Sequence, residues 1–178
     1  MSERSRSQPM RRGPTSGSGR ARRVAPSPAV LAAGPFTKGG DYGVAFEVES
    51  SASRPRSAEQ WARAIFEDAP LVMQWFLIAG WTAITCRLRP RRSGSRVLGW
   101  QIETASTHTA VIAAHAWVGL MSHLVVSVDA DRVTLASFVR YTGSARSVAR
   151  AVWAGTVPLH ERILPHLLTA AARRYENE

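Results

Sequence analysis

Cysteine is nearly absent from this sequence. The one thiol, Cys86, excludes an internal disulfide framework and a Cys-rich zinc module. Lysine is all but missing too: Lys38 stands beside 22 arginines, a skew that looks like GC-rich coding bias rather than a choice of guanidinium chemistry. Acids are few, 13 against 23 basic residues, so the 178-residue chain carries a formal charge of +10. A surplus of that size points first to nucleic acid or an anionic membrane. Signature motifs are also lacking. There is no GxSxG, no P-loop and no dinucleotide-binding GxGxxG, and the GSGR at Gly17–Arg20 has no strand–helix setting.

An apolar share of 45% excludes global disorder, and the length suits one domain with a tail. The charge divides unevenly. Residues 1–40 hold seven arginines and Lys38 against Glu3, a net +7, whereas residues 41–178 hold 15 arginines against 12 acids, a net +3. The first 40 residues are rich in Ser, Arg, Gly and Pro and lack Trp and Tyr, so they read as a disordered basic leader. Such a leader is either an arm for nucleic acid or anionic membrane, or a plain solvated extension; the second is favoured, and Met10 offers a second initiator. Pro26 and Pro28 interrupt the apolar stretch after Arg22-Arg23, against a signal peptide, so a cytoplasmic setting is expected.

Residues 41–178 then read as a single domain. Tyr42, Val44, Phe46 and Val48 alternate as a half-buried strand. Ser57 and Gln60 have capping-box spacing, and Trp61, Ala62, Ile65 and Phe66 follow at helical spacing. Asp68-Ala69-Pro70 breaks this helix and starts the next. Residues 69–86 carry no charge and are apolar almost all round, with arginines 87, 89, 91, 92 and 96 beyond. A short membrane span competes with a helix buried against a sheet; Gln74, Gly80, Thr82 and Thr85 favour the buried helix. The arginine-rich loop, with Pro90 and Gly94, reads as solvated rather than as a phosphate grip.

From Val97 the period is two. Strands are expected over 97–103, 107–116, 120–128 and 133–141, with Asp129-Ala130-Asp131 as a hairpin connection. Ser144 is the expected N-cap of a helix that Gly155 interrupts, Pro158 restarts and Pro165 bends.

This order, strand, two helices, antiparallel meander and long C-terminal helix, resembles the helix-grip architecture of the START, polyketide-cyclase and Bet v 1 superfamily. The SHLVVSV run at Ser122–Val128, the strand ending at Tyr141 and the helix with Pro158-Leu159-His160-Glu161-Arg162 resemble an uncharacterised domain-of-unknown-function family in that group. The resemblance covers about residues 42–175 and departs at 69–86, which is more apolar than usual there. It implies an α+β fold, a curved antiparallel sheet wrapping the last helix. It also implies a cavity for an apolar or amphipathic small molecule. A minority of such domains catalyse cyclisation, dehydration or hydrolysis; no catalytic residue and no cofactor carries over.

The residues give candidates for that cavity: Trp100, His115, Trp117, His123, Trp153 and His160. Six tryptophans are many for this length, and indole N–H groups can orient a ligand. A hairpin near Val118-Gly119 makes His115 and His123 cross-strand neighbours, either an acid–base pair in the pocket or one buried and one edge histidine; the latter is favoured. The five histidines lack zinc-ligand spacing: His160 and His166 lie about 240° apart round a helix, and Leu164 stands where HExxH needs histidine. No metal is expected. Glu103 falls on the face opposite Trp100 and Ile102, and paired carboxylates are absent. Cys86 reads as inert packing. A ligand reading calls for an open space of a few hundred Å3 between sheet and last helix.

Overall fold

The computed structural model describes residues 19–34, 40–51, 56–83 and 94–178. Seven strands in this part form one antiparallel sheet: β1 (Arg22–Val24), β2 (Tyr42–Glu49), β3 (Arg96–Val97), β4 (Trp100–Ala105), β5 (Thr109–Ala116), β6 (Leu120–Val128) and β7 (Arg132–Tyr141). Their spatial order is β1-β2-β7-β6-β5-β4-β3. Four helices accompany them: α1 (Pro28–Ala33), α2 (Ala58–Phe66), α3 (Leu71–Ala83) and α4 (Arg146–Glu176). The sheet is curved, and α4 lies against β2, β7 and α2. The fold is α+β and helix-grip-like, as the element order predicts.

Alternation along the strands sends side chains to two faces. Val44, Phe46, Ile112, Leu124, Leu135 and Val139 join Trp61, Ile65 and Phe66 of α2 and Leu164 and Leu168 of α4 in the main core. Ala45, Val111, Val125, Ala136 and Phe138 point the other way, where Val30 of α1 closes a smaller core. Burial of this kind contributes about 25 cal/mol per Å2 of apolar surface. The capping box on α2 forms as its spacing predicts: Ser57 Oγ accepts the Gln60 N–H at 3.3 Å, and Gln60 Oε1 accepts the Ser57 N–H at 2.7 Å.

Four sequence expectations need correction. The stretch expected to be disordered up to residue 40 holds a strand and a helix at Arg22–Val24 and Pro28–Ala33. β1 pairs with β2, and α1 seats Val30 against the outer sheet face, with Ser27 Oγ accepting the Val30 N–H at 3.2 Å. The edge of β2 and the apolar outer face supply partners that a local reading does not see. Residues 1–18 and 35–39 lie outside the described residues.

The strand expected from Val97 is instead a hairpin. Val97 pairs with Trp100 across a two-residue turn at Leu98 (φ 46°) and Gly99 (φ 93°). Two positive φ values match the twist of paired strands. A bulky residue in that conformation needs support, and Glu67 Oε1 accepts the Leu98 N–H at 2.9 Å. Arg63, held by Glu59 and Glu67, donates to the carbonyls of Gly94 and Arg96. Carboxylates and carbonyls thus converge on one guanidinium.

The C-terminal helix is not interrupted. α4 runs unbroken through Gly155, Pro158 and Pro165, and Ala145, not Ser144, holds its N-cap position without a side-chain bond. Burial of Ala149, Trp153, Leu164, Leu167 and Leu168 offsets the backbone bonds that the prolines remove.

Finally, the uncharged helix is not buried against the sheet. Within α3 only Leu77 is buried, while Val72 is 83% and Trp75 58% exposed. No helix among the described residues is long and apolar enough to cross a membrane. Residues 84–93, including Cys86 and arginines 87, 89, 91 and 92, lie outside the described residues.

Candidate functional site

A cavity of about 80 Å3 lies between the inner sheet face, α3 and α4. The sheet supplies Trp100, Ser122 and Leu124, α3 supplies Phe76, Leu77 and Trp81, and α4 supplies Trp153, His160, Ile163 and Leu164. On α4 these residues recur three, four and seven apart, so one helical face builds the wall. No carboxylate is among the lining residues described. The volume is below the several hundred Å3 that holds a drug-sized ligand.

Aromatic rings set the shape. The Trp81 and Trp100 rings are 5.0 Å apart, centre to centre, and Trp153 sits 4.9 Å from the His160 ring and 5.3 Å from Tyr42. The Nε1 atoms of Trp100 and Trp153 are buried and meet no hydrogen-bond acceptor among the described residues. A buried N–H without an acceptor is costly; Trp61 Nε1, in the core and away from the cavity, is a third such donor.

His160 is the titratable group of the cavity wall. Its Nε2 lies 2.9 Å from Ser137 Oγ. Burial pulls its pKa down to about 4, because the desolvated imidazolium is disfavoured, so the ring is neutral at pH 7. The distance also suits a serine nucleophile and its base. Ser137, however, is fully buried in the middle of β7 and is absent from the cavity lining, so the contact is a satisfied polar pair in the core.

The six candidate residues divide. Trp100, Trp153 and His160 come together around the cavity. Trp117 does not: it projects from the β5–β6 loop, 73% exposed. His115 and His123 lie on the opposite, outer face. Register pairs His115 with Met121, and His123 with Ala113 and Phe138; the two rings are 6.4 Å apart and edge-on. They are neighbours, as the hairpin predicts, with His123 buried and His115 exposed. The physical reason for their placement is strand parity, since Ser122 and Leu124 take the cavity side of β6.

Glu103 reaches the outer face as well. It is the extra residue where β4 slips register between Ile102 and Thr104, and its Oε2 lies 3.4 Å from His123 Nε2. Burial lowers the His123 pKa; Glu103 works against that by favouring the charged ring. No group of His, Cys, Asp or Glu among the described residues is arranged to hold a metal ion.

Sequence reasoning missed the α3 contribution and a polar chain behind the cavity. Tyr42 OH donates to Glu161 Oε1 at 3.1 Å, and Arg23 holds Glu161 Oε2 at 2.8 Å. Burial, then the Glu161 charge, raises the Tyr42 pKa. The helical spacing of Trp153, His160 and Leu164 was the available signal for one wall. Nothing local marked Arg23 as a partner of a residue 138 positions away.

Comparisons with protein-family models, curated proteins and solved structures match nothing to this chain. The likeness to the helix-grip arrangement is therefore one of shape, and no specific family is assigned.

Proposed function

We propose that the protein binds an apolar small molecule carrying a hydrogen-bond acceptor, held between the sheet, α3 and α4. The single observation behind this reading is that two of the three buried indole N–H groups without an acceptor among the described residues, on Trp100 and Trp153, belong to one mostly apolar cavity wall. A ketone, ester or ether oxygen supplies what they lack, and the alkyl or aromatic remainder is matched by Phe76, Trp81 and Leu164.

At about 80 Å3 the cavity takes a short segment of such a molecule. A longer ligand needs α3 to move outward. That helix is anchored by one buried residue, Leu77, by half-buried Met73, Ile78 and Trp81 against the core, and by Gln74, whose amide donates to the carbonyls of Glu67 and Ala69. Binding is preferred over a cyclase or dehydratase because the wall holds no carboxylate and a single titratable group.

The test is a titration of the full chain with N-phenyl-1-naphthylamine, followed by quenching of tryptophan emission. Saturable binding is expected, with 2-nonanone competing better than nonane. One added hydrogen bond of about 1 kcal/mol corresponds to roughly fivefold. Trp153→Phe narrows that gap, and Leu164→Trp blocks binding. Absence of saturable binding removes the reading, and equal competition by ketone and alkane removes the role of the indoles.

A further inference from the structure

A second concavity lies on the far side of α4, away from the apolar cavity. It is an open groove of about 830 Å3 between the segment leading into β1 and the exposed face of α4. Arg162, His166 and Arg173 line it at spacings of four and seven, which keeps them within about 40° on one helical face. They extend over about 16 Å of helix, at 1.5 Å per residue. Arg20 lines the opposite wall. That wall is fixed in place, because the Ala21 N–H donates to Thr169 Oγ1 at 3.0 Å.

The charge of the groove is one-sided. Arg20, Arg162 and Arg173 form no ion pair among the described residues, and all three are exposed. The one acid, Glu161, has both oxygens engaged, by Tyr42 and by Arg23. Three guanidinium charges are left without an ion-pair partner among the described residues, arranged as a track.

We infer that this groove binds a linear chain of phosphates, each cation meeting a different phosphate along the track. A phosphate chain needs only spaced positive charge, since its binding is dominated by charge neutralisation. Arginine clusters also take acidic peptides, whose side chains need polar partners between the charges; the groove floor is instead Ala21, Phe46, Pro165 and Ala170. The site is separate from the apolar cavity and does not depend on its ligand.

Two sources share this chemistry, a phosphodiester strand and a free polyphosphate. Labelled oligothymidylate of ten nucleotides and an inorganic polyphosphate of about ten phosphates, long enough to span the track, are titrated separately against the full chain at several salt concentrations. At least one is expected to bind saturably. Binding of the oligonucleotide alone assigns the groove to a phosphodiester strand, and binding of the polyphosphate alone assigns it to a free phosphate chain; either supports the inference. The double substitution Arg162→Ala/Arg173→Ala should weaken binding about tenfold at low salt. For the oligonucleotide it should also reduce the salt slope by about 1.4, at roughly 0.7 per lost phosphate contact. Both arginines are exposed, and circular dichroism checks that the variant folds. The control Arg132→Ala/Arg150→Ala removes the same charge elsewhere and should change little. Three results overturn the inference: neither probe binds, the control weakens binding as much as the groove variant, or deca-glutamate competes as well as the phosphate chains.

Discussion

His160 Nε2 stands 2.9 Å from Ser137 Oγ, joining α4 to the centre of β7. The imidazole is neutral in the folded protein because burial pulls its pKa to about 4. In the unfolded chain an exposed histidine titrates near 6.5. Between these values the unfolded state binds the extra proton, so stability falls as the pH drops from about 6.5 to about 4. The ceiling on this effect is about 3 kcal/mol, from 1.36 kcal/mol per pH unit. His123, whose pKa burial also lowers, adds with the same sign. Urea unfolding across this range should show the loss in the native chain and a flatter profile in His160→Gln. An unchanged profile in the variant contradicts the assignment.

Arg63 is the keystone of the β3–β4 hairpin. It binds Glu59 and Glu67 while donating to the carbonyls of Gly94 and Arg96, and Glu67 also holds the Leu98 N–H. Arg63→Ala should lower stability by about 1–3 kcal/mol, since it strands acceptors that are partly buried. Arg63→Lys should recover little, because one ammonium cannot reproduce the forked geometry. Thermal melts of the two variants measure this, and full recovery by lysine contradicts it.

The orphan donor on Trp153 makes an unusual forecast for a core aromatic. Truncation to alanine should cost about 3–5 kcal/mol, as for other buried rings. Trp153→Phe keeps most of the packing and removes the unpaired N–H, so its cost should be below about 1.5 kcal/mol. Chemical denaturation compares the two. A phenylalanine variant as damaged as the alanine variant shows that the N–H is satisfied.

The outer side of α3 should tolerate charge. Val72 and Trp75 are mostly exposed, so Val72→Lys and Trp75→Lys should alter stability by no more than about 0.5 kcal/mol. They should also reduce self-association at high concentration, because they break up an apolar surface patch. Leu77→Ala, at the one buried position, should speed amide exchange throughout residues 71–83. Light scattering and hydrogen exchange read these outcomes. Large destabilisation by the lysines means that the outer side packs more tightly than its exposure indicates.

Gly119 marks the β5–β6 turn. Its φ is +77°, and an added Cβ lies 2.1 Å from the Thr142 carbonyl oxygen. Gly119→Ala should therefore destabilise by more than about 1 kcal/mol, through backbone strain and a clash with rigid main chain. A melting temperature equal to that of the native chain shows that the turn yields.

Local chemistry made much of the fold legible. Ser57 and Gln60 carry a capping box whose atoms lie three residues apart. The alternation in Leu120–Val128 and Val133–Tyr141 specifies two strands and their hairpin. The same alternation assigned His115 and His123 to one face of the sheet. It did not say which face meets the helices, since parity relates residues along a strand and carries no label for the core. The order within residues 22–33 is hidden from a local reading for a similar reason. Arg22–Val24 and Val30 have weak local signals, and only the open edge of β2 and the bare outer face make them ordered.

The sequence by itself determined an α+β chain with an antiparallel meander and a C-terminal helix, because these follow from periods of two and 3.6 and from capping residues. It also determined that the charge surplus is concentrated in the first 40 residues. Only the tertiary structure decided that Trp100, Trp153 and His160 share a cavity while His115 and His123 do not. Only it set Arg20 across a groove from Arg162 and Arg173, three cations with no ion-pair partner among the described residues. Those outcomes depend on which surfaces meet across long stretches of chain, and contact between distant segments is fixed by packing of the whole rather than by the pattern of any part.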